Sequence, residues 1–163
     1  MVKVGIIGAG RIGRVHINSI TTRVPNAKIK TVADPFLSEE TADWAKSMGV
    51  EKTTKDYKEI INDPEIDAVL ICSSTDTHSP ISIEAIKAGK HVFCEKPIDH
   101  DVEKIMEVIK ALEGTNIKYQ VGFNRRFDHN FQSLQEAVAQ GKVGTPQIIK
   151  ITSRDPEPPS IDY

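Results

Sequence analysis

The chain has 163 residues, of which 39% are hydrophobic and 27% charged, and its 21 Lys and Arg against 23 Asp and Glu give a formal net charge of −2. These values describe a folded globular chain of one domain, or of one domain and part of another, and they give no ground for nucleic acid or an anionic membrane as partner. No apolar run approaches the ~20 residues needed to span a bilayer, and since Met1-Val2-Lys3 leads straight into an expected apolar strand, no leader is expected.

The first strand is expected over 2–7. It runs into Gly8-Ala9-Gly10-Arg11-Ile12-Gly13, which opens a helix from Arg11 to about Thr21. A second strand follows at 28–33 and ends on Asp34, 21 positions after Gly13. A GxGxxG between a strand and a helix, with an acidic residue at that distance, is the dinucleotide-binding fingerprint. Gly8 permits the sharp turn, Gly10 lets a pyrophosphate approach the backbone, and Gly13 lets the helix pack close to the sheet. The first helical N–H groups, at Arg11, Ile12 and Gly13, lack intrahelical partners and sit at the positive end of the helix dipole. Asp34 is placed to accept hydrogen bonds from the adenosine ribose and to repel a 2′-phosphate, which favours NAD over NADP. The Arg11 side chain has two readings: a contact to a 2′-phosphate or to adenine, or a solvated charge.

Ser38 is expected to cap a helix carrying Ala42, Ala45 and Met48, which Gly49 stops. A short strand falls near 50–54, and Asp56 with Glu59 has capping-box spacing before Ile60 and Ile61. Ala68 to Ile71 reads as a central strand, apolar on both faces. Ser79-Pro80 reads as N-cap and first helical position, with Gly89 as the stop. His91 to Cys94 is the fifth strand. Val102, Ile105, Ile109 and Leu112 form an expected core-facing stripe, and the sixth strand is at about 117–121. Alternating strands and helices predict an α/β fold: a doubly wound, mostly parallel Rossmann sheet with helices on both faces. Cys72 and Cys94 fall at strand ends without CxxC spacing. They are expected to be buried and reduced, with no metal role, in a cytoplasmic protein.

This sheet is complete by about residue 121, dividing the chain into a dinucleotide-binding domain, 1–121, and a tail, 122–163. Phe131, Leu134 and Val138 mark a helix in the tail, Gln147 to Thr152 a strand, and Asp155 to Pro159 a loop. One helix and one strand cannot make a core, so the tail is expected to be the start of a second α+β domain. The open edge at 147–152 is expected either to pair with another copy as a homodimer or to leave the tail disordered.

Ligands of open parallel sheets bind beyond the carboxyl ends of the strands. Ser73, Ser74 and Thr75 are candidates to line the cofactor groove there, with His78 as either a packing residue or a ligand. Lys96, in Glu95-Lys96-Pro97, is a candidate acid or base whose pKa partial desolvation would lower. The arginines of Gly122-Phe123-Asn124-Arg125-Arg126-Phe127-Asp128 can bind a polyol or carboxylate, or can anchor a helix through ion pairs. GAGRIG, Glu95-Lys96-Pro97 and GFNRRFD together resemble the Gfo/Idh/MocA oxidoreductases over the whole chain. The run Ile151 to Pro156, leading to Pro158-Pro159, looks most like the inositol 2-dehydrogenase branch of that family.

The resemblance implies NAD along Gly8–Gly13, with Glu95 and Lys96 beside it. It implies Lys96 as the catalytic lysine that contacts the reacting hydroxyl, and Arg125 and Asn124 as substrate contacts. A cyclic polyol or sugar would give a hydride to NAD and become a ketone. The family's catalytic aspartate and histidine have no match after Arg154, so the chain is expected to be catalytically incomplete. The alternative is a self-contained NAD-binding module without turnover. Lys96-Pro97 is a candidate cis bond.

Overall fold

The computed structural model describes residues 1–154. Its elements are β1 (Val2–Ile7), α1 (Arg11–Arg23), β2 (Ala27–Ala33), α2 (Glu39–Ser47), β3 (Lys52–Thr54), α3 (Lys58–Ile61), β4 (Ala68–Ile71), α4 (His78–Lys87), β5 (His91–Cys94), α5 (Val102–Leu112), β6 (Tyr119–Val121) and α6 (His129–Ala139). The strand order is β3-β2-β1-β4-β5-β6. All pairs are parallel, because successive strands are joined by helical crossovers. This is the doubly wound Rossmann sheet expected from the alternation of strand and helix.

Two apolar layers hold it. Val4, Ile6, Ile29 and Val32 of the sheet pack against Ile17 of α1 and Ala45 of α2. On the other face Ile7, Val69, Ile71 and Val92 meet Ile60 of α3, Ala85 of α4 and Val108 of α5. Each fully buried Ile or Val contributes roughly 1.5–3 kcal/mol relative to an exposed one, so β1 and β4, apolar on both faces, belong at the centre.

The register sets the functional edge. Ile7 pairs with Ala33 and with Ile71, Ile71 with Cys94, and Cys94 with Val121. The residues just past these strands, Asp34, Gly8, Cys72, Glu95 and Gly122, therefore stand in a row. Backbone bonds continue the ladder by one residue: Gly8 N–H to Ala33 (2.8 Å), Cys72 N–H to Ile7 (2.7 Å), Glu95 N–H to Ile71 (2.9 Å) and Gly122 N–H to Cys94 (2.8 Å).

Several expectations need correction. Helix α4 starts at His78, straight after a 3-10 turn at Thr75–Thr77. Ser79 is thus inside the helix instead of capping it, and its hydroxyl donates to Asp99 Oδ2 at 2.5 Å. Pro80 still lies in the first turn, where its missing N–H costs nothing. Asp56 does accept from Lys58 N–H (2.9 Å), but Glu59 completes no capping box; it turns to Lys52 and Thr54. In α5 the buried residue is Val108, while Val102 and Ile109 are 67% and 46% exposed. Residues 147–152 form no strand; Ile148, Ile149 and Ile151 are 78–89% exposed. A strand is held by a neighbour's N–H and C=O groups, and none of the described residues of this chain supplies them to 147–152.

The chain divides into two compact units, Met1–Phe123 and a second beginning at Asn124. The second unit holds α6, capped by Asp128, whose Oδ1 accepts from Asn130 N–H (2.9 Å) and Phe131 N–H (3.2 Å). Phe131, Leu134 and Val138 do fall on this helix, but all three remain exposed. The expected loop at Asp155 to Pro159 lies outside the described residues.

Candidate functional site

The glycine turn is built by crowding. Gly8 has φ +98°, and a Cβ there would stand 2.5 Å from the Cys72 carbonyl carbon. A Cβ at Gly13 would stand 2.0 Å from the Gly8 oxygen, so only glycine lets α1 begin this close to β1. Gly10 differs: a Cβ there would meet nothing within 4 Å. Gly10 is the N-cap of α1 and has no side-chain cap. The first helical N–H groups, including those of Arg11 and Ile12, therefore open onto free space. The Arg11 side chain is exposed, whereas Arg14 donates to Thr41 Oγ1 (2.7 Å) and lies over the Trp44 ring.

Across the turn, Asp34 Oδ2 accepts the Ala9 N–H (2.7 Å) and Oδ1 accepts the Phe36 N–H (2.8 Å). These bonds fix the carboxylate while leaving lone pairs on both oxygens. Gly8, Gly10, Asp34, Phe36, Ser73 and Ser74 line a cavity of about 530 Å³ at the carboxyl ends of β1, β2 and β4. Lys55 and Tyr57 line it too and were not foreseen, because the loop after β3 carries no motif. Thr75 is not part of the lining, whereas Thr77 is, and its Oγ1 lies 2.7 Å from Ser73 Oγ.

His78 takes the packing role and is 2% exposed. Its Nδ1 lies 2.7 Å from the Pro97 carbonyl and its Nε2 3.0 Å from the Ser73 carbonyl. A carbonyl only accepts, so both ring nitrogens must donate and the ring carries a proton on each. Neither nitrogen is left for a cofactor. Burial opposes the charge most strongly, but Cys94 and the two carbonyls outweigh it and lift the pKa to about 9. His78 thereby ties the loop after β4 to the loop after β5. Lys96 in that second loop is exposed, and Lys96-Pro97 is cis.

The Glu95 carboxylate points at His16 of α1, 2.8 Å away, and is not part of the cavity lining. Both cysteines are free and buried. Burial first, then the nearby Glu95 and Cys94, holds the Cys72 thiol far above its ordinary range, so it stays protonated. Among the described residues no three His, Cys, Asp or Glu side chains are grouped to hold a metal ion, and no helix is long and apolar enough to cross a membrane. Asn124 and Arg125 belong to the second unit. There the Asn124 side chain accepts the Arg125 N–H (3.0 Å), and the Arg125 guanidinium lies 5.4 Å over the Phe131 ring and 3.4 Å from Ser153 Oγ.

Comparison with known proteins agrees with this geometry. Residues 2–123 match the model of the Gfo/Idh/MocA oxidoreductase family, described as an NAD-binding Rossmann fold. An uncharacterized oxidoreductase of Bacillus subtilis, YrbE, is 46% identical over 98% of this chain and 46% of its own length. A myo-inositol 2-dehydrogenase of Thermotoga maritima is 43% identical over 99% of this chain and 48% of its own length. The crystal structure of scyllo-inositol dehydrogenase from Lactobacillus casei, with bound NAD(H) and scyllo-inositol, superposes with a TM-score of 0.82 at 38% identity, covering 88% of this chain and 42% of that one. The chain thus spans about half the length of these relatives.

Proposed function

Since the chain belongs to the Gfo/Idh/MocA oxidoreductase family, we propose that its first unit binds NAD in the groove beside Gly10 and Asp34, as the cofactor-binding part of an inositol 2-dehydrogenase-like activity. The observation that carries this is the open space over Gly10, facing a helix N-terminus with no side-chain cap. Backbone and dipole there suit a pyrophosphate, and the fixed Asp34 carboxylate suits two ribose hydroxyls.

When bound, NAD supplies the hydride acceptor. The chain's own residues do the rest. The N–H groups at Arg11, Ile12 and Gly13 hold the pyrophosphate, and the Asp34 carboxylate disfavours a 2′-phosphate. Ser73, Ser74 and Thr77 line the rim. Lys96, exposed on the loop after β5, contacts the hydroxyl that is oxidised and assists the loss of its proton. Asn124 and Arg125 supply hydrogen bonds to the polyol or sugar. Two buried free thiols suit a reducing, cytoplasmic setting.

Gly10→Leu tests the site. A Cβ there meets no protein atom within 4 Å, so the melting temperature should hold while NAD affinity falls at least about tenfold, or ~1.4 kcal/mol. Unchanged affinity would remove the groove as the NAD site. A second reading, NAD binding without turnover, is favoured by the groove's lining, which comes entirely from the first unit. NADH formation with a cyclic polyol would exclude it.

A further inference from the structure

Glu95, the first residue after β5, stands between three segments of the carboxyl edge. Its Oε1 lies 2.8 Å from His16 Nε2, and its Oε2 accepts the Lys96 backbone N–H at 3.3 Å. It also faces Gly122, where an added Cβ would stand 3.0 Å from Oε2. The side chains of His16 and Glu95 are only 22% and 15% exposed. His16 is itself held edge-on by the Phe93 ring, 5.1 Å between centroids.

A carboxylate with so little water needs donors, and His16 and the Lys96 amide provide them. A polar pair taken out of water adds little net stability and is often matched by apolar residues of similar volume. Its value here is geometric. His16 lies on the same helix that starts at the glycine turn. Helix α1 is therefore a rigid link between the turn and the Glu95 carboxylate, and Glu95 fixes the peptide from which the Lys96 side chain departs.

We propose that His16 and Glu95 are a positioning pair that registers Lys96 to the nucleotide turn, a proposal that rests on the reading of Lys96 as the residue beside the reacting hydroxyl. Neither member lines the groove. The pair acts through Lys96, and removing the His16 donor loosens the Glu95–Lys96 end of the loop while His78 still holds Pro97.

The test is amine labelling of the whole chain with trinitrobenzenesulfonate, read peptide by peptide by mass spectrometry, with and without saturating NAD. In the wild type NAD should slow labelling of Lys96 about tenfold, the scale on which supporting residues usually act. His16→Leu should abolish most of that protection. His16→Gln, which keeps an N–H donor at similar reach, should restore it. Lys90, 6% exposed with its ammonium on the Asp63 and Ile66 carbonyls, reports whether the fold itself has opened. If His16→Leu exposes Lys90, the isosteric Glu95→Gln decides by the same criterion. Equal protection in wild type and variant overturns the positioning pair and leaves the place of Lys96 intact. No protection in the wild type overturns the place of Lys96, and the pair with it.

Discussion

At the residue scale, His78 carries a proton on both ring nitrogens because two carbonyls demand it. Its folded pKa of about 9 lies above the ordinary 6.5. The stability it contributes is therefore complete below about 6.5 and is lost as the pH rises through about 9. Urea unfolding of wild type and His78→Leu from pH 6 to 10 should show a gap that is widest at pH 6 and shrinks across that window. A gap constant with pH would mean that folding does not shift the pKa of the ring, and a gap that widens as the pH rises through 6.5 would mean that the ring is neutral in the fold. The sequence placed His78 at the groove but left its role open, since only the fold brings the Ser73 and Pro97 carbonyls to the same ring. The turn glycines and Asp34 were legible for the opposite reason. Their spacing within one strand-helix-strand unit already encodes the geometry they need.

At the element scale, α5 shows where periodicity stops being informative. Residues 102–112 carry apolar side chains at 102, 105, 106, 108, 109, 111 and 112, which supports two overlapping stripes. The stripe through Val102 and Ile109 was expected inside, but packing beside α4 selects Val108. Val108→Ala should cost ~2 kcal/mol, two buried methyls plus the cavity they leave. Ile109→Ala should stay within about 0.5 kcal/mol, as partly exposed positions do. Denaturant midpoints of the two variants check this, and the reverse order would put the stripe back where the sequence alone suggested. The expected strand at 147–152 failed for a related reason: alternation shows that a segment can pair, and only a neighbour makes it a strand.

At the scale of the whole molecule, the sheet order and its register bring the residues past five strand ends into one row along the carboxyl edge. The parallel, doubly wound class was legible because helical crossovers and the fingerprint leave few alternatives. The neighbours of that edge were not, because Phe36, Lys55 and Tyr57 reach the cavity through loops whose paths follow from packing. The central claim, an NAD site that discriminates through Asp34, is tested most directly by calorimetric titration of wild type and Asp34→Ala with NAD and with NADP. The account predicts that wild type binds NAD more tightly than NADP. It also predicts that Asp34→Ala weakens NAD by ~1.5–3 kcal/mol, the worth of a hydrogen bond to a charged group, and that the preference collapses. Equal affinities for the two nucleotides in the wild type, or an Asp34→Ala variant that still prefers NAD, would contradict it.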